Sequence, residues 1–179
     1  MGIKLSLPIA GANLKRYPQG LVSQFFGENL NPLYAKLGLK GHNGIDFGCQ
    51  TRTPILAAHD GVVTLVYNDQ NVVPADLPTK GYGVYLQHAE GWQTVYWHLL
   101  SPNVAVGQAF KEGDVLAYSD NTGMSTGPHL HFGLYPAAVD RENGYGGAID
   151  PLPALQISIL WQIVGILQKI LSLKGRVPQ

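Results

Sequence analysis

Residues 83–98 read Gly83-Val84-Tyr85-Leu86-Gln87-His88-Ala89-Glu90-Gly91-Trp92-Gln93-Thr94-Val95-Tyr96-Trp97-His98. Two runs rich in β-branched and aromatic side chains, Gly83 to His88 and Thr94 to His98, flank the turn signal Glu90-Gly91, which predicts adjacent antiparallel strands. The same texture continues outward. Val22 to Phe26, Ile45 to Phe47, Ile55 to Ala58, Gly61 to Tyr67, Val115 to Tyr118 and Leu130 to Leu134 are further candidate strands, with turns at Asp60-Gly61 and Glu112-Gly113. Many short strands punctuated by glycine and proline imply an all-β fold, a compact antiparallel β-sheet domain.

Segments without this texture set the boundaries. Asn68 to Gly81 has two prolines and no hydrophobic period, and reads as a long surface loop between two strands. Pro136 to Gly147 is a second loop, with an Asn-Gly turn at Asn143-Gly144. From Leu155 to Leu173 the only turn residue is Gly165, and Ser158, Gln162, Gly165, Lys169 and Ser172 recur at helical spacing. This predicts a C-terminal amphipathic helix with one narrow polar stripe. The expected organisation is an N-terminal extension over 1–17, a catalytic domain over 18–153 and a helix and tail over 154–179. The wide apolar face of the helix is expected to dock to sister chains or a virion or other partner protein, with a membrane surface as the alternative.

The 179 residues suffice for one domain with a real core and no disulfide staple. Twelve basic residues balance twelve acidic ones, so no net field draws the chain to nucleic acid. Cys49 is the single cysteine, which excludes an intrachain disulfide and leaves the redox compartment open. The apolar run Leu5 to Ile9 is interrupted by Pro8 and is too short for a secretory core, so no signal peptide is read at the N-terminus.

Six histidines carry the chemistry. His129 and His131 flank Leu130, and in a strand residues two apart project from one face. An isolated pair of this kind is more often two solvated side chains than a site. Gly41-His42-Asn43-Gly44-Ile45-Asp46 supplies the missing support: its glycines and the following Ile-Asp-Phe place His42 in a loop and Asp46 on a strand. Catalytic zinc sites take three protein ligands of histidine and carboxylate type and leave a fourth position open. His42, Asp46 and one member of the His129/His131 pair would make that set. No His-Glu-x-x-His motif provides a glutamate base, so a histidine must serve, either His98 or the unused member of the pair.

The stretches Gly41 to Asp46, Tyr96-Trp97-His98-Leu99 and Thr122-Gly123-Met124-Ser125-Thr126-Gly127-Pro128-His129-Leu130-His131-Phe132 resemble, in order and rough separation, the three motifs of lysostaphin-type (LytM-like) peptidoglycan endopeptidases. The resemblance runs from about Pro18 to Pro151. It implies a duplicated hybrid motif fold, zinc (Zn2+) held by His42, Asp46 and His131, and His98 with His129 as the catalytic pair. The implied substrate is the peptide cross-link of bacterial peptidoglycan, and the implied setting is a phage lysin or virion-associated wall hydrolase. Departures from the pattern include Gly133, where a glutamate is common, and Trp97, where a small residue is frequent. Strand alternation is expected to turn Trp97 away from the face that carries His98. His88 and His59 are expected to be structural or solvated, and Cys49 a bystander. The rival reading is a catalytically idle relative that binds cell wall or regulates another hydrolase, and the five filled His and Asp positions favour activity. A carrier or phosphotransfer module, suggested by Gly113 to Ala117, would not need His42, Asp46 and His131 together.

Overall fold

Alternation along Leu130, Phe132 and Leu134 sends three apolar side chains to one side, and all are at most 1% exposed. The intervening His129, His131, Gly133 and Tyr135 fall on the other side. This strand is central to the architecture, which a computed structural model describes for residues 2–67 and 81–156. Among the described residues the strands are β1 (Leu5–Ser6), β2 (Val22–Gln24), β3 (Ile45–Gly48), β4 (Pro54–Leu56), β5 (Gly61–Tyr67), β6 (Tyr82–Gln87), β7 (Gln93–Leu99), β8 (Ala109–Phe110), β9 (Val115–Tyr118), β10 (His129–Tyr135) and β11 (Leu155–Gln156), with a single-turn helix α1 (Leu33–Lys36). Seven strands form one sheet in the order β2-β3-β10-β7-β6-β5-β8, and every pairing in it is antiparallel.

One face of this sheet builds the core. Ile45 and Phe47 from β3, Tyr96 from β7 and Val84 and Leu86 from β6 join the β10 residues, and all are fully buried. The Tyr96 and Phe132 rings meet edge-on at 5.3 Å, a favoured aromatic geometry. The antiparallel pair β4-β9 contributes Ile55, Leu116 and Ala117 to the same core. Leu5, Ile9 and Ala12 of the N-terminal segment are buried there as well. The opposite face carries Asp46 and Gly48 of β3, His129 and His131 of β10, and Val95 and Trp97 of β7. Cross-strand partners share a face, and His131 stands opposite both Asp46 and Trp97.

Most expected strands are present, with shifted ends. The run Val22 to Phe26 stops pairing after Gln24, and Ile55 to Ala58 begins one residue early and ends at Leu56. Leu155 and Gln156, expected to open the helix, instead pair in parallel with Leu5 and Ser6. Leu155 is 7% exposed, and its burial against the N-terminal strand outweighs the helical pattern beyond it. The rest of the expected helix and tail, and the expected loop apart from Gly81, lie outside the described residues. No helix among the described residues is long and apolar enough to cross a membrane.

Candidate active site

The loop before β3 brings His42 beside Asp46, and the β3-β10 ladder sets His131 directly across from Asp46. His42 Nε2 lies 3.0 Å from Asp46 Oδ1. His131 Nδ1 lies 3.0 Å from the same oxygen and 2.9 Å from His42 Nε2. Gly44 makes this approach possible: a Cβ there would fall 2.6 Å from the Phe132 carbonyl and 2.7 Å from the His131 ring. Neither ring nitrogen nor the carboxylate reaches bulk water freely, since His42 is 2% exposed and the Asp46 side chain 13%.

Backbone carbonyls fix the tautomers of three histidines. His42 Nδ1–H donates to the Phe25 carbonyl at 3.1 Å, His98 Nδ1–H to Thr122 at 2.7 Å, and His129 Nδ1–H to Gly127 at 2.8 Å. Each bond leaves Nε2 as the basic nitrogen. In His42 that nitrogen meets His131 Nδ1 and Asp46 Oδ1, so three potential ligand atoms converge on one point. A cation placed between them would be held by all three. Tetrahedral zinc with bonds of about 2.0–2.1 Å separates its ligands by roughly 3.3 Å, close to the spacings of 2.9–3.0 Å here. The donor set therefore fits zinc.

His129 Nε2 lies 3.6 Å from Asp46 Oδ2, and the rings of His98 and His129 are 4.5 Å apart. All five residues singled out in the sequence thus share one side of the sheet. His98 reaches it through an unusual backbone, with φ of +62° at the end of β7. This corrects the expectation for Trp97. Strict alternation would put the two residues on opposite faces, but Trp97 shares the His131 face while the left-handed His98 backbone swings the imidazole round to the same side. The Trp97 ring lies over Gly83, where a Cβ would come within 2.3 Å of it, and meets Tyr67 and Tyr85 edge-on at 5.2 and 5.7 Å. Val95 and Trp97 are buried but stand outside the main core.

Burial pushes His98 down to about 4, and the neighbouring His129 and His131 add to the effect. Burial also lowers His131, opposed by Asp46. For Asp46, burial acts to raise the carboxyl, but the adjacent His131 and His42 rings prevail and hold it far below the usual carboxylate range. Two features had no legible signal. The orienting carbonyls of Phe25, Thr122 and Gly127 carry no residue signature. Tyr34 comes from α1 to within 6.1 Å of the His42 ring, with its hydroxyl donating to Gln24 Oε1 at 3.1 Å. Burial and the Asp46 charge push that hydroxyl up to about 12. His88, His59 and Cys49 lie apart from the cluster, as expected. His88 is 5% exposed, between the Asp60 carbonyl and the Thr94 hydroxyl, and burial pushes the Cys49 thiol up.

Known proteins share this arrangement of chain. An uncharacterised metalloprotease of Haemophilus influenzae is 38% identical over 126 residues, covering 68% of this chain and 25% of its own length. The peptidoglycan DD-endopeptidase ShyA of Vibrio cholerae is 35% identical over 124 residues, covering 67% and 26%. The present chain therefore spans about a quarter of the length of these relatives. The catalytic domain of the antimicrobial peptidase lysostaphin from Staphylococcus simulans superposes with a TM-score of 0.58 at 28% identity, covering 74% of this chain and 89% of that one. The family model described as Peptidase family M23 matches residues 40–151, a span that includes every residue of the histidine and aspartate cluster, and the chain belongs to that family.

Proposed function

We propose that this protein is a zinc-dependent endopeptidase that hydrolyses peptide cross-links of bacterial peptidoglycan, with the metal on His42, Asp46 and His131 and proton transfer by His98 and His129. The family is zinc-dependent, and the His/Asp/His cluster matches that requirement. The observation that carries the reading is the convergence of His42 Nε2, His131 Nδ1 and Asp46 Oδ1, with two further histidines beside them whose Nδ1 protons are already committed to carbonyls. When bound, zinc supplies Lewis-acid polarisation of the scissile carbonyl and acidifies the attacking water.

The side chains then divide the remaining work. His98, neutral at physiological pH because of its burial, offers Nε2 as a proton acceptor. His129 offers a second basic nitrogen on the same side. One of the two accepts the proton of the attacking water, and that proton is passed to the nitrogen of the departing amine, directly or by way of the other histidine, so that the peptide bond is replaced by a carboxylate and a free amine. On the face that carries His131, Trp97 packs edge-on against Tyr67 and Tyr85. The substrate class is inferred from relatives that include the Vibrio DD-endopeptidase.

The experiment is metal analysis and digestion of purified cell walls by the wild type and by Asp46→Ala and His131→Ala. One zinc per chain and release of new amino termini from the walls are expected of the wild type, with both lost in the variants. Full zinc in either variant refutes the ligand set. A zinc-loaded wild type that leaves walls of several cross-link types intact refutes the substrate and favours an idle wall-binding relative.

A further inference from the structure

A histidine ligand works best when its other ring nitrogen is held, and in many metal sites the group that holds it governs affinity. Here the holder of His42 is the backbone carbonyl of Phe25. Nothing in a backbone carbonyl fixes its own position, so the anchor must be sought around the turn of residues 25–28.

That anchor is Glu28. Its Oε2 accepts the Phe25 N–H at 2.9 Å, and its Oε1 pairs with the Arg16 guanidinium. Arg16 also donates to the Ser23 carbonyl at 3.3 Å and lies over the Phe25 ring at 4.9 Å. The main chain of the same glutamate grips His42 a second time: the Glu28 carbonyl accepts the His42 N–H at 2.9 Å, while Gly27 N–H donates to the His42 carbonyl at 2.8 Å. Glu28 therefore touches both the backbone of His42 and, through Phe25, the ring.

We propose that Glu28, braced by Arg16, is a positioning residue of the metal centre, holding the Phe25 carbonyl where it orients His42 and so strengthening zinc binding. The proposal rests on His42 being a zinc ligand, as argued above. It also gives the N-terminal segment a part in the site, because Arg16 precedes β2. An arginine–carboxylate pair this exposed, 45% and 28% for its side chains, contributes little to folding on its own. Its effect is expected at the metal.

The test measures zinc affinity of the full chain by competition with a chromogenic chelator, alongside the melting temperature of the metal-free protein. Glu28→Ala is expected to weaken zinc binding about 10–100-fold, the range for loss of an outer partner. Glu28→Gln, whose amide oxygen still accepts the Phe25 N–H, should recover most of that loss. Asp60→Ala, which removes an exposed ion pair with Lys111 elsewhere, should leave zinc affinity unchanged. His42→Ala should lose the metal. Wild-type affinity in Glu28→Ala together with loss in His42→Ala overturns the proposal and leaves the ligand set standing, whereas zinc retained by His42→Ala overturns the ligand set itself. The proposal also fails if Glu28→Gln is as weak as Glu28→Ala, or if the loss only follows a fall in melting temperature that Asp60→Ala shares.

Discussion

His98 adopts a left-handed backbone that costs an L-residue roughly 1–2 kcal/mol, and it does so at the point where its imidazole joins the cluster. Two outcomes follow. His98→Ala and His129→Ala should retain zinc and fold, yet lose about 10²–10⁴ of wall-digesting rate, as general acid–base groups do; near-normal turnover in either removes that histidine from the mechanism. His98→Gly should melt above His98→Ala, because glycine accepts positive φ without the steric cost, and equal melting temperatures would show that the site is unstrained. A third outcome concerns Gly44. Its alanine variant drives a methyl into the Phe132 carbonyl and the His131 ring, so zinc affinity should fall in a competition assay even though no proposed ligand is altered. The five polar residues of the cluster were legible because histidine and aspartate at motif spacing are chemically distinctive. The conformation of His98 was not, because a single residue of positive φ leaves no trace in the pattern that predicts the strand around it.

Strands were legible where alternation ran for four or more residues, as in β5, β6, β7 and β10. Two-residue strands were not. β1, β8 and β11 are defined by partners far along the chain, and only the fold brings Leu5 to Leu155 or Ala109 to Val62. Trp97 shows the limit of local pattern from the other side: alternation assigns faces correctly only while the backbone stays extended, and the correction came from its register opposite His131. The element with most at stake is β10, which pairs on both sides and carries core and cluster on opposite faces. Phe132 stands opposite Ile45 of β3 and Tyr96 of β7 and is fully buried. Phe132→Ala should destabilise by about 3–5 kcal/mol in denaturant titration, and a cost below about 1 kcal/mol would mean that β10 is not the keystone of the sheet.

Across the whole molecule, acidic and basic residues balance near neutrality, so the first acid sensitivity, above the carboxylate range, is expected from buried histidines. His88 is one that lies away from the metal cluster. Burial lowers its pKa, and the Asp60 carbonyl and Thr94 hydroxyl hold it in place. A depressed histidine favours the fold while neutral. The stability it adds is therefore complete above its unfolded value of about 6.5 and is lost as pH falls below it. The metal-free protein should melt progressively lower from about pH 6.5 downward, and His88→Gln should flatten that slope; an unchanged slope would assign the acid sensitivity elsewhere. The pairing of Leu5 with Leu155 places the first and last strands of the described chain shoulder to shoulder. A unit whose two ends emerge together can be spliced into a surface loop of a larger host without prying the host apart, so this fold is suited to travel between proteins as an insert as well as a terminal appendage.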